Sequence, residues 1–335
     1  MKKYIAVFAA LLLFALLPAP KAAAEGKLSI VTTIFPEYDW VMEILGENAP
    51  NVQVTMLLDN GVDLHSSQPN VKDMVTLSTC DLFLYTGGES DGWVDDALAG
   101  AANKNMIAIN LLEVLGENAK EELLVEGMEH SHDEEEHHEQ EHEDEEHDHD
   151  EEEHEHEAEL DEHVWLSLRN ASRFCQAIRD ALITLDPENE ELYRVNTERY
   201  LAELSRLDDA FAAAVAEGSQ DTLLFGDRFP FRSLMDDYGL QYYAAFSGCS
   251  AETEASFETV IFLANKLDEL GLHTVVTLEG SDGKLAQTII RTAQADADIL
   301  CLDSMQSTTK KDVQEGAKYL TIMEKNLDVL TQALR

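Results

Sequence analysis

Three histidines, His65, His163 and His273, stand apart from the nine others, which crowd into an acidic stretch at 129–162. His65 follows the turn-forming run Asp59-Asn60-Gly61. His163 lies in Asp161-Glu162-His163-Val164-Trp165, where low complexity gives way to an apolar pattern. Both are loop positions, the places where binding groups are usually carried. His273 sits in a short connection ahead of an apolar run and reads as structural or solvated. Three acids follow β-rich runs: Asp227 after 222–225, Glu279 after 274–278 and Asp303 after 299–302. Two imidazoles with carboxylates would form the mixed nitrogen–oxygen shell that Zn(II) accepts. Acids at such positions also cap following helices, and the residue pattern leaves both roles open.

The stretch at 129–162 holds nine His and 21 Asp or Glu among 34 residues. Imidazoles interleaved with carboxylates bind borderline divalent ions weakly at many points, and a merely solubilising segment needs no histidine. With almost nothing apolar to bury, it is predicted to be a disordered loop, suited to collecting or sensing metal rather than to catalysis. The four cysteines, Cys80, Cys175, Cys249 and Cys301, permit two disulfides in any of three pairings, or free buried thiols. Their spacing matches no zinc-finger pattern, so no cysteine-based metal site is expected.

The elements that must position these groups alternate. Strands are predicted at 27–35, 52–58, 81–85 and 106–110, with helices at 39–45, 71–77 and 93–98 between them. The helical period continues at 170–185, with apolar residues at 171, 174, 178, 182 and 185. Asp186-Pro187 then reads as the start of a further helix. From 187 to 217 there is no Gly and no further Pro, which predicts one helix about 45 Å long. Strands at 222–225, 241–246, 274–278 and 299–302 follow, with helices at 231–238, 257–270, 284–293 and 309–334. This rhythm predicts an α/β protein of two Rossmann-like lobes, each a parallel sheet with helices on both faces, joined by the long helix. The expected division is an N-terminal lobe at 25–186, a linking helix at 187–217 and a C-terminal lobe at 218–335. In such sheets ligands approach the carboxyl ends of strands.

Lys2 and Lys3, the apolar run at 5–17 and the small residues Ala22, Ala23 and Ala24 have the layout of a signal peptide cleaved after residue 24. No cysteine lies near that point to carry a lipid, so a periplasmic or secreted protein is expected. The net charge of −44 repels phosphate backbones, excludes nucleic acid as a partner and favours cations.

Several motifs together resemble the metal-binding solute receptors of ABC importers, in the zinc branch with a His-rich loop. They are Thr32-Thr33-Ile34-Phe35-Pro36, Gly61-Val62-Asp63-Leu64-His65-Ser66-Ser67-Gln68-Pro69, Asp81-Leu82-Phe83-Leu84-Tyr85 with Gly87-Gly88, and Asp161-Glu162-His163-Val164-Trp165-Leu166. The resemblance spans the whole chain beyond residue 24. It implies a four-position metal site in the cleft between two lobes held by the long helix. His65 and His163 match the family's first two ligands and Asp303 its fourth, while Glu279 matches an acid close to the site. The third ligand in zinc members is a histidine. The matching stretch here, 225–231, has none; Asp227 is the nearest candidate and Arg228 stands beside it. The resemblance implies a monomeric, non-enzymatic receptor that captures Zn(II) and hands it to a membrane ABC permease. Neutral imidazole ligands imply that affinity falls as pH drops through about 6.5. Manganese remains a second possible cargo, since two carboxylates beside two imidazoles suit it as well. The residues also fit a zinc buffer without a transporter, or a metallohydrolase using Glu279 as base.

Overall fold

The computed structural model describes residues 27–62, 64–123, 125–128, 159–250 and 255–335. The expected leader at 1–24 and most of the His-rich insert, 129–158, lie outside the described residues.

The first half alternates β1 (Ser29–Thr32), α1 (Phe35–Leu45), β2 (Gln53–Met56), α2 (Val71–Thr79), β3 (Leu82–Tyr85), α3 (Val94–Gly100), β4 (Ile107–Asn110) and α4 (Leu111–Leu115). All strand pairings are parallel, in the order β2-β1-β3-β4. Two helices follow, α5 (Leu168–Leu185) and α6 (Glu190–Glu217). The second half runs β5 (Thr222–Phe229), α7 (Arg232–Tyr238), β6 (Gln241–Ser247), α8 (Phe257–Glu269), β7 (Thr274–Leu278), α9 (Lys284–Ala293) and β8 (Asp298–Leu302). It ends with α10 (Lys310–Gln314) and α11 (Tyr319–Ala333). Its sheet is also parallel, in the equivalent order β6-β5-β7-β8.

The predicted long helix appears as one 3-10 turn, Pro187–Asn189, followed by the 28 residues of α6. At 1.5 Å per residue α6 is about 42 Å long. Its buried residues, Tyr193, Thr197, Tyr200, Leu204, Leu207 and Phe211, alternate at spacings of four and three and so form one seam. That seam packs on α1, α5 and α11. One hydrophobic cluster therefore runs from Ile30 in the first sheet to Leu334 beyond α11. Trp40 sits within it, 5.6 Å from the Phe174 ring and edge-on to Tyr319 at 5.2 Å.

The differences from the predicted elements are local. α1 begins four residues early because Pro36 occupies its first turn, where a missing N–H costs nothing. Glu37 folds back there to accept from the Thr33 and Ile34 N–H groups at 2.8 and 3.3 Å. β5 continues to Phe229 through a register shift between Phe225 and Arg228, so Asp227 lies inside the strand rather than after it. The predicted helix at 309–334 is two helices, parted at the turn around Gly316. The sequence predicts loop as far as Glu162, yet residues 159–162 belong to the fold. Leu160 bridges to Glu121, Asp161 N–H donates to the Lys120 carbonyl at 2.8 Å, and Asp161 and Glu162 are buried. All four cysteines are free thiols, so neither of the two possible disulfides is formed.

Candidate metal centre

His65 is carried by a 3-10 turn, Leu64–Ser66, beyond the carboxyl end of β2, and Leu64 anchors that turn in the core. His163 is wholly buried and opens a second 3-10 turn, Val164–Leu166. That turn is fixed by the second half of the chain. The Trp165 indole N–H donates to the Ser304 carbonyl at 2.9 Å, and the Tyr319 hydroxyl donates to the Trp165 carbonyl at 2.7 Å. Ser167 caps α5 by accepting from Asn170 N–H and donates its own hydroxyl proton to Asp237 at 2.6 Å.

The two imidazoles face each other through their Nε2 atoms, 3.1 Å apart. Their Nδ1 atoms point the other way, into polar support. His163 Nδ1 lies 2.8 Å from Asp161 Oδ1, which also accepts from the His163 backbone N–H at 3.0 Å. A carboxylate only accepts, so it places the ring proton on Nδ1 and leaves Nε2 a lone pair. His65 Nδ1 lies 2.7 Å from Ser90 Oγ and 3.4 Å from Glu162 Oε2. Glu162 is itself held by the Ser90 N–H, which donates to Oε1 at 2.9 Å. Gly88, at φ +82°, lets it dock: a Cβ there would stand 2.3 Å from the same oxygen. Burial raises the Glu162 carboxyl above its ordinary value, against the pull of the Ser90 donors.

The three acids nominated from the sequence each accept backbone hydrogen bonds. Asp227 accepts from the Arg228 and Leu278 N–H groups, at 2.9 and 3.3 Å. Glu279 accepts from Ser304 N–H at 2.8 Å and from its hydroxyl at 2.7 Å. Asp303 accepts from Met305 N–H at 2.8 Å. Burial raises the carboxyls of Glu279 and Asp303, and Asp303 adds to the rise at Glu279. Glu279 and Asp303 thus brace the turn after β8, whereas Asp227 ties β5 to the end of β7. His273 stands directly before β7 and is exposed.

Among the described residues one group of three or more potential ligands converges: His65, His163 and Cys249, with one donor atom from each lying within 4.8 Å of the others. Asp227, Glu279 and Asp303 are outside it. Cys249 is the residue that sequence reasoning missed, because cysteine spacing carries no information about position at a strand end. A signal was present, since Ser247-Gly248-Cys249 directly follows a predicted strand, by the same rule that singled out the acids. Burial, with Glu122 and Glu162 next in effect, pushes its thiol well above the ordinary range. A cavity of about 810 Å³, lined by His65, Ser90, Glu122, Glu159, Glu162 and Cys249 among others, opens onto the group. Residue 159 on its rim adjoins the insert.

The family model for the periplasmic zinc-uptake complex component A matches residues 30–333. The zinc-binding protein AdcA of Streptococcus pyogenes is 30% identical over 330 residues, covering 98% of this chain and 60% of AdcA. The chain thus spans about three fifths of the length of that relative. The high-affinity zinc uptake system protein ZnuA of Bacillus subtilis is 27% identical over 308 residues, or 92% of this chain and 88% of ZnuA. Among solved structures, the Zn(II)-bound ZnuA-like domain of Streptococcus pneumoniae AdcA superimposes with a TM-score of 0.68 at 26% identity. It covers 92% of this chain and 99% of that domain.

Proposed function

The chain belongs to the family of the periplasmic zinc-uptake complex component A, and from that premise we propose that it captures Zn(II) outside the cytoplasm and hands it to a membrane ABC permease. In this reading it is a binding protein and not an enzyme. The observation that carries it is the pair of imidazoles with anchored Nδ1 atoms and opposed Nε2 atoms. Two nitrogens about 2.0–2.1 Å from a common ion, at a tetrahedral angle, lie about 3.3 Å apart. The Nε2 atoms of His65 and His163 are 3.1 Å apart, within reach of that value. At 3.1 Å a His65 Nε2–H donates to the His163 lone pair, and a cation binds in place of that proton. Carboxylate support behind metal-binding imidazoles is the usual means of fixing tautomer and raising ligand basicity.

The remaining parts take roles around this pair. The continuous core of α1, α5, α6 and α11 holds the two sheets at a fixed spacing, so that the second half braces the His163 turn through Ser304 and Tyr319. Glu279 and Asp303 brace the turn after β8, Asp227 ties β5 to β7, and all three add negative potential that concentrates cations. The His-rich insert gathers metal for the site. Among the described residues no helix is long and apolar enough to cross a membrane. The test is calorimetry on the full chain and on His65→Ala/His163→Ala. The tight zinc equivalent is expected to vanish in the double variant while weak sites persist; one tight equivalent surviving in it refutes the reading.

A further inference from the structure

We propose that Cys249 is the third protein ligand, so that the ion is held by two imidazoles and one thiolate. This rests on the zinc-capture reading above and specifies the chemistry of its site.

Four observations converge. The Cys249 sulfur and one ring nitrogen from each of His65 and His163 lie within 4.8 Å of one another, the single such group among the described residues. Cys249 lies two residues past β6, at the carboxyl end of a parallel sheet. The turn that carries it packs closely against the His163 ring. A Cβ on Gly248 would stand 2.8 Å from His163 Cε1 and 3.0 Å from both Nδ1 and the Phe229 carbonyl. Any side chain at 248 would therefore lift the turn away from the ring, and glycine there is what seats the next residue beside the donors. Finally, the oxygen donors Asp227, Glu279 and Asp303 accept from the N–H groups of Arg228 and Leu278, of Ser304 and of Met305, and none of them joins the three-donor group.

A thiolate changes which ions the site prefers. Sulfur ligands select soft and borderline ions such as Zn(II), whereas Mn(II) suits carboxylates, carbonyls and water. Two nitrogens and one sulfur therefore turn the site against manganese. Coordination takes the thiol as its anion, and the proton leaves to solvent.

Cobalt(II) is the probe, because only a thiolate ligand gives it a sulfur-to-metal charge-transfer band in the near ultraviolet. The full chain loaded with one equivalent of Co(II) is expected to show that band, and Cys301→Ser, which alters an exposed thiol, is expected to keep it. Cys249→Ser should lose the band, retain the weaker visible absorption of the histidine-bound ion, and bind zinc more weakly. Losing an outer-shell partner already costs about 10–100-fold, so at least about tenfold is expected for the thiol itself. Tight Co(II) binding by the wild type without the band, or a band that persists in Cys249→Ser, overturns the assignment while leaving the capture reading intact. Should the wild type bind neither Co(II) nor Zn(II) tightly, the capture reading fails and the assignment falls with it. The wild-type spectrum decides the matter even if the serine variant does not fold.

Discussion

Replacing Asp161 with asparagine isolates the support behind the buried imidazole. Asp161 Oδ1 receives the His163 Nδ1 proton at 2.8 Å and the His163 backbone N–H at 3.0 Å, and the residue is only 4% exposed. The amide keeps the volume and one accepting oxygen but removes the charge. It can also present its NH2 group to Nδ1, which would drive the ring proton to Nε2 and silence the metal-facing lone pair. Loss of such an outer partner typically weakens metal binding by about 10–100-fold, or about 1.4–2.8 kcal/mol. The measurement is competition for Zn(II) against a chromogenic chelator, with the full chain and a chelator tight enough to ignore the weak sites of the insert. Asp161→Asn should fall between the wild type and His163→Ala. A folded Asp161→Asn protein with wild-type zinc affinity would refute the claim that Asp161 fixes the ligand tautomer.

Two other outcomes follow from the same residues and their surroundings. Burial, and after it the neighbouring Asp91, raises the Glu37 carboxyl from 4.5 to about 8, against hydrogen bonds from Thr33 and Ile34. The folded value lies above the unfolded one, so this stabilisation is full below pH 4.5 and is lost as pH rises through about 8. Across that window the wild type should lose up to about 5 kcal/mol relative to Glu37→Gln; parallel denaturation curves at pH 5 and pH 9 would contradict this. Deleting residues 130–157 removes nine histidines. Calorimetry should then show fewer weak zinc sites and an unchanged tight one, and loss of the tight site would place a ligand within the insert.

Local chemistry determined much of this protein before any tertiary contact entered. The period-two and period-3.6 patterns mark every strand and nearly every helix. The span 274–278 coincides with β7 and 284–293 with α9, the Gly280 and Asp282-Gly283 turn residues marking the end of one and the start of the other. The absence of Gly and Pro between 188 and 217 marks the long helix for the same local reason. His65 and His163 stood out because each sits in a loop beside a patterned segment, a property of sequence alone. The convergence of donors was not legible. Strand periodicity tells which groups stand at strand ends, and Asp227, Glu279, Asp303 and Cys249 all qualify as residues in or just past strands. Which of them meets the imidazoles depends on non-local terms. A bulge draws Asp227 back into β5, the Ser304 turn engages Glu279, and the fit of Gly248 against the His163 ring seats Cys249. Asp161 and Glu162 read as the tail of a solvated acidic run, yet they are buried behind the histidines, because burial is set by what packs over a residue and not by its neighbours in the chain.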